Sequence, residues 1–94
     1  MGGIDGAEVD RKAKLGHLLY QHRFLRGMSQ TALAAEIGVT APAVSRWERG
    51  GRVPTIPTLR ALSRALDLPM ERIWEVLQGE EPAAHRRPAT RVRK

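Results

Sequence analysis

Apolar residues recur along this chain at helical spacing, and no stretch shows the two-residue alternation of a half-buried strand. Leu15, Leu19 and His22 form the inner stripe of a predicted first helix, Arg11 to Arg26, which Gly27 ends. Met28 then enters the core. Ser29 caps a second helix, Gln30 to Ile37, whose inner face carries Leu33, Ala34 and Ile37. Gly38 is placed to take the left-handed conformation that ends a helix, and Val39 plugs the turn. Thr40 is an N-cap for a third helix, Ala41 to about Arg49, with Pro42 in its first turn, where a missing N–H costs little. Val44 and Trp47 fall on one side of that helix. A loop, Gly50 to Pro54, leads to Thr55, which caps a fourth helix with Ile56 and Pro57 in its first turn and Leu59, Leu62 and Leu66 inside. After a break at Asp67 to Pro69, Met70, Ile73, Trp74 and Leu77 mark a fifth helix. The pattern predicts an all-α chain, five helices in a compact bundle, with both tryptophans as core pillars rather than stacking platforms.

The flanks lack such a stripe. Residues 1–10 hold glycines and acids without periodicity and read as a flexible N-terminal segment before a domain at 11–77. Residues 78–94, QGEEPAAHRRPATRVRK, read as a basic disordered tail. Two readings of that tail stand: a solubilising extension, or an arm that follows phosphates or enters a minor groove. Leu18, Tyr20, Phe24 and Leu25 lie off the first helix's stripe. They are either partly buried under the tails or a dimer or partner surface. Ser63 reads as an ordinary exposed helix residue.

The outer side of the third helix is small, hydroxylated and cationic: Pro42, Ser45, Arg46 and Arg49 at i, i+3, i+4 and i+7, with Ala41 beside them. A helix with that face suits the DNA major groove. The stretch resembles the helix-turn-helix of the Cro and lambda-repressor-type, or Xre-like, family. The matching letters are Ser29-Gln30, Leu33-Ala34, Ile37-Gly38-Val39-Thr40, Val44-Ser45-Arg46-Trp47-Glu48-Arg49-Gly50 and Pro54-Thr55, within a resemblance running from about Leu15 to Leu77. It implies a compact five-helix lambda-repressor-like DNA-binding domain.

The resemblance also implies roles. Arg23 pairs with Glu48 as a structural ion pair. Gln30, on the N-terminus of the second helix, bonds a phosphate and braces the third. Ala41, Pro42, Ser45 and Arg46 approach base edges. Family members often carry an amide near these positions, and this chain has none there, which argues against strong adenine reading. Ala41 and Pro42 can touch thymine methyls, and Ser45 can bond several bases. Arg46 is either a bidentate guanine reader or a phosphate clamp. Thr40, Arg49 and Arg52 are further phosphate candidates, contacts that set register without reading sequence.

The totals narrow the rest. Against 10 Asp and Glu stand 16 Lys and Arg, a formal charge of +6 that favours a polyanionic partner. There is no cysteine, and no apolar run approaches membrane-spanning length. His17 and His22 miss the i, i+4 spacing that converges on a metal. No phosphate-binding glycine loop or nucleophile set is present. The expectation is a cytoplasmic, nucleoid-associated protein that is not an enzyme, needs no cofactor or metal, and has no membrane partner. The leading function is a transcriptional regulator, a repressor acting by operator occupancy on double-stranded DNA as a homodimer. The alternative is an antitoxin or protein-partner-binding module on the same fold.

Overall fold

The structure, a computed structural model, describes residues 3–78, with side chains from residue 10 onward. Its elements are α1 (Gly3–Leu25), α2 (Gln30–Ile37), α3 (Ala41–Glu48), α4 (Ile56–Leu66) and α5 (Met70–Gln78), with no strand among the described residues. Leu15 and Leu19 of α1, Leu33 of α2, Val44 of α3, Leu59, Leu62 and Leu66 of α4, Leu68 and Ile73 make the centre of one buried cluster. Burying each such side chain is worth about 1.5–3 kcal/mol. Met28, Ile37 and Val39 pack against the cluster from its edge.

The ends of α1 to α4 are built alike. Each helix closes with a residue in the left-handed region, Gly27, Gly38, Gly50 or Asp67. In each, the next amide reaches back five residues: Met28 to the Arg23 carbonyl, Val39 to Ala34, Gly51 to Arg46 and Leu68 to Ser63, at 2.9–3.1 Å. This is the Schellman closure, which satisfies carbonyls that a helix end leaves open. The starts of α2 and α3 are also side-chain capped: Ser29 Oγ accepts from the Ala32 amide at 2.9 Å, and Thr40 Oγ1 from the Ala43 amide at 3.3 Å. Thr55 stands at the N-cap of α4, but its hydroxyl donates to Thr58 Oγ1 at 3.1 Å and caps no amide.

Several expectations are corrected. The first helix begins at Gly3, not Arg11. Extending a helix that the core already nucleates costs far less than starting one, so an apolar stripe is not required. Gln78 closes α5, and the predicted tail at 79–94 lies outside the described residues. Leu18 is buried, not left over, because it lies at the seam where α5 packs along α1, near Val76. Tyr20, Phe24 and Leu25 are exposed. Trp47 is a core residue at 7% exposure, whereas Trp74 keeps 36%. The difference follows from position: α5 sits at the edge of the bundle against α1 and α4, and Ile73 takes its inward place. Ser63 is not a plain surface residue either. It is half-buried and donates to the Leu68 carbonyl at 2.5 Å, a second bond across the α4 end.

Candidate nucleic-acid interface

The site begins with how α3 is held. Val44 is 1% exposed and fixes one side of the helix in the core beside Trp47. Gly16 of α1 then allows a backbone contact. A Cβ at this position would stand 2.5 Å from the carbonyl oxygens of both Trp47 and Glu48. Only a glycine lets α1 lie so close to the C-terminal turn of α3.

A polar junction locks the same turn. Arg23 donates from Nε to Glu48 Oε2 at 2.6 Å and from Nη2 to Oε1 at 2.9 Å, a bidentate pair. Its Nη1 donates to the Met28 carbonyl at 2.7 Å, past the end of α1. Gln30 Nε2 donates to Glu48 Oε1 at 2.9 Å. One carboxylate of α3 thus gathers α1 and α2, so Gln30, expected from the resemblance to meet a phosphate and brace α3, joins the Arg23–Glu48 pair in one network. The Arg23 side chain is 12% exposed and that of Glu48 6%. The hydrogen bond to Glu48 raises the Arg23 pKa above its ordinary value, against the opposing effect of burial, so the guanidinium stays charged. It also lies 5.4 Å from the centre of the Tyr20 ring.

The opposite side of α3 is open. Gln30, Ala41, Pro42, Ser45, Arg46 and Arg49 line one shallow hollow. Pro42, Arg46 and Arg49 are exposed, and Ala41, Ser45 and Gln30 are half-buried. Thr40 and Arg52 are exposed but do not line the hollow. Their place is at its margins along the chain, one before α3 and one after it. Thr40 uses its oxygen for the cap and keeps its hydroxyl proton free to donate.

Three contacts are absent from the sequence reading, and two of them carry no signal in the sequence. Arg49 Nη1 donates to Ser45 Oγ at 2.9 Å across one turn. The i, i+4 spacing permits that bond, but many such pairs never form. The stem of Arg46 also packs over Gly51, where a Cβ would come within 3.1 Å of Arg46 Cγ. The contact at Gly16 did carry a signal: a glycine inside an apolar helix costs about 1 kcal/mol against alanine, and a close neighbour accounts for it.

Among the described residues no group of three or more His, Cys, Asp or Glu is placed to hold a metal, and no helix is long and apolar enough to cross a membrane. A family model described as helix-turn-helix, of the Cro/C1 or Xre-like type, matches residues 19–73, more than half of the chain. No curated protein matches it.

Proposed function

The chain belongs to the Cro/C1-type helix-turn-helix family of DNA-binding regulators, and from that premise we propose that it recognises a specific double-stranded operator as a homodimer and represses by occupying it. What supports the reading is one observation. Val44 and Trp47 are buried, while Ser45, Arg46 and Arg49, on the far side of the same helix, line an open hollow. A helix anchored on one side and cationic on the other can lie in a major groove. Ala41, Pro42, Ser45 and Arg46 approach base edges in this proposal, and Gln30, Thr40, Arg49 and Arg52 approach phosphates. The basic segment after Gln78 supplies further charge.

The test is selection of bound sequences from random duplexes at low salt. The expected product is a two-fold symmetric site with half-site centres about 34 Å apart. With Z phosphates neutralised, log K falls against log salt with a slope near −0.9Z. Recovery of unselected sequences, with no symmetry, would overturn specific operator binding.

A second reading has its own observation. Tyr20, Phe24 and Leu25 are exposed on α1, at 44%, 67% and 77%. The Phe24 ring lies 6.1 Å from that of Tyr20, and His17 extends the strip at 6.5 Å. Such a strip suits an antitoxin or partner-binding module. Solution mass with and without duplex separates the two: a monomer that ignores DNA at low salt favours the protein partner.

A further inference from the structure

The outer face of α3 is rich in donors and poor in acceptors. Arg46 and Arg49 carry guanidinium groups, which accept nothing. Glu48, the one carboxylate of α3, is turned inward onto Arg23 and Gln30. Gln30 keeps an open amide oxygen, but it stands on α2, beyond the α3 residues. That leaves Ser45. A free serine hydroxyl donates and accepts, and therefore discriminates little among bases. Ser45 is not free, because its Oγ accepts from Arg49 Nη1 at 2.9 Å. An oxygen already accepting from a cation is a weaker second acceptor and a stronger donor, since each bond in a chain polarises the next.

We infer that Arg49 fixes Ser45 as a donor, so that α3 selects DNA presenting acceptors opposite Ser45 and Arg46, guanine above all, beside thymine methyls opposite Ala41 and Pro42. The inference rests on the DNA-binding reading of this face and gives it a sequence class. Guanine offers two acceptors in the major groove, N7 and O6, and thymine one, O4, whereas adenine mixes an acceptor with an amino donor and cytosine shows only its amino group. Arg49 is then a positioning residue acting through Ser45, in addition to its attraction for phosphate.

The experiment uses the full chain and a duplex recovered by selection. Guanines in each half-site are replaced one at a time by 7-deazaguanine, which lacks the N7 acceptor. Binding should fall about tenfold at the guanine facing Arg46 and about fivefold where a guanine faces Ser45. Ser45→Ala, Arg49→Met and the double variant are then measured against every single-base change, with circular dichroism to check folding. Both single variants should relax preference at the same base position, and the double variant should relax it no further. Arg49→Met should also weaken binding to all DNA. An even loss for Arg49→Met, with the Ser45 preference intact, overturns the inference while leaving DNA binding standing. So does a selected cytosine or adenine amino group opposite Ser45. If the unaltered protein binds no duplex at low salt, the DNA reading itself fails and this inference with it.

Discussion

The two sides of α3 use opposite chemistry within eight residues. Inward, the helix presents Val44, Trp47 and one carboxylate whose oxygens accept three bonds from Arg23 and Gln30. Outward, it presents small groups and Arg46, with Arg49 at its C-cap spending one of its donors on Ser45. The Arg23–Glu48 pair is closed to a ligand because its side chains are nearly covered and bonded to each other, while Gln30, bonded to Glu48, still lines the hollow. The outer face is open because most of its bonding capacity is not taken. Turning Glu48 inward also removes from the outer side the one charge of α3 that would repel phosphate. Under the proposed function, holding and reading are separated by half a helical turn, and substitutions should lose one without directly touching the other.

The largest effect is expected inside. Trp47→Ala should cost about 3–5 kcal/mol, as for other large aromatic truncations. That is much of what a small domain has, since folded proteins as a class hold only about 5–15 kcal/mol. A urea or thermal melt followed by circular dichroism checks it, and DNA binding should disappear together with the helical signal. A melt unchanged from the parent protein would place Trp47 outside the core and erase the distinction between the two sides.

Next comes the junction. Glu48→Gln leaves the part-buried Arg23 guanidinium without its counter-charge and should cost about 2–3 kcal/mol, below the range for a fully buried pair. Arg23→Met combined with Glu48→Leu should regain most of that stability in urea titration, because the pair's net worth is far smaller than the cost of orphaning one partner. If the double variant is as unstable as the single, Gln30 and the Met28 carbonyl matter more than the ion pair. Gly16→Ala should follow at about 1–3 kcal/mol, the range for overpacking. Here the obstacle is backbone carbonyl oxygen, which cannot swing aside as a side chain can.

These positions differ in how plainly the sequence announced them. Helix ends were legible because each needs a residue tolerant of the left-handed region, and Gly27, Gly38 and Gly50 stand where the apolar stripes stop. Asp67 fills the same role at the end of α4, with the Ser63 hydroxyl adding a bond that no periodicity encodes. The alternation of inner and outer positions on α3 was legible from Val44 and Trp47. Trp74 was misread because periodicity gives the direction a side chain faces relative to its own helix, and exposure depends on what neighbour stands there. Leu18 failed in the opposite sense: it pointed off the stripe, but α5 came to meet it. The start of α1 was missed because it carries no apolar stripe. The Arg49–Ser45 bond was missed because spacing allows a contact without requiring it.

On the outer side the expected losses are in affinity, with melts unchanged. Arg46→Ala should weaken the selected site by about 1–3 kcal/mol, the value of a bidentate guanine contact, and weaken random DNA much less. Binding titrations on both duplexes check this. Equal losses would make Arg46 a phosphate clamp, and the reading would then rest on Ser45, Ala41 and Pro42. Gly51→Ala offers a finer control, since it crowds the Arg46 stem and should shift specificity at the same base position without removing a charge.

The smallest effect belongs to Arg52, exposed beyond the hollow that Arg46 and Arg49 line. If the hollow is the base-reading surface, a cation outside it meets the phosphate backbone, whose contacts are indifferent to sequence. Arg52→Ala should therefore weaken selected and random duplexes by the same factor. It should also make the slope of log K against log salt shallower by about one counterion. Titration of both duplexes across a salt series reads both numbers at once. Should the loss instead concentrate on the selected site, the reading surface extends past the end of α3 into the loop. The line between holding and reading would then run through the turn at Gly50 rather than along the helix.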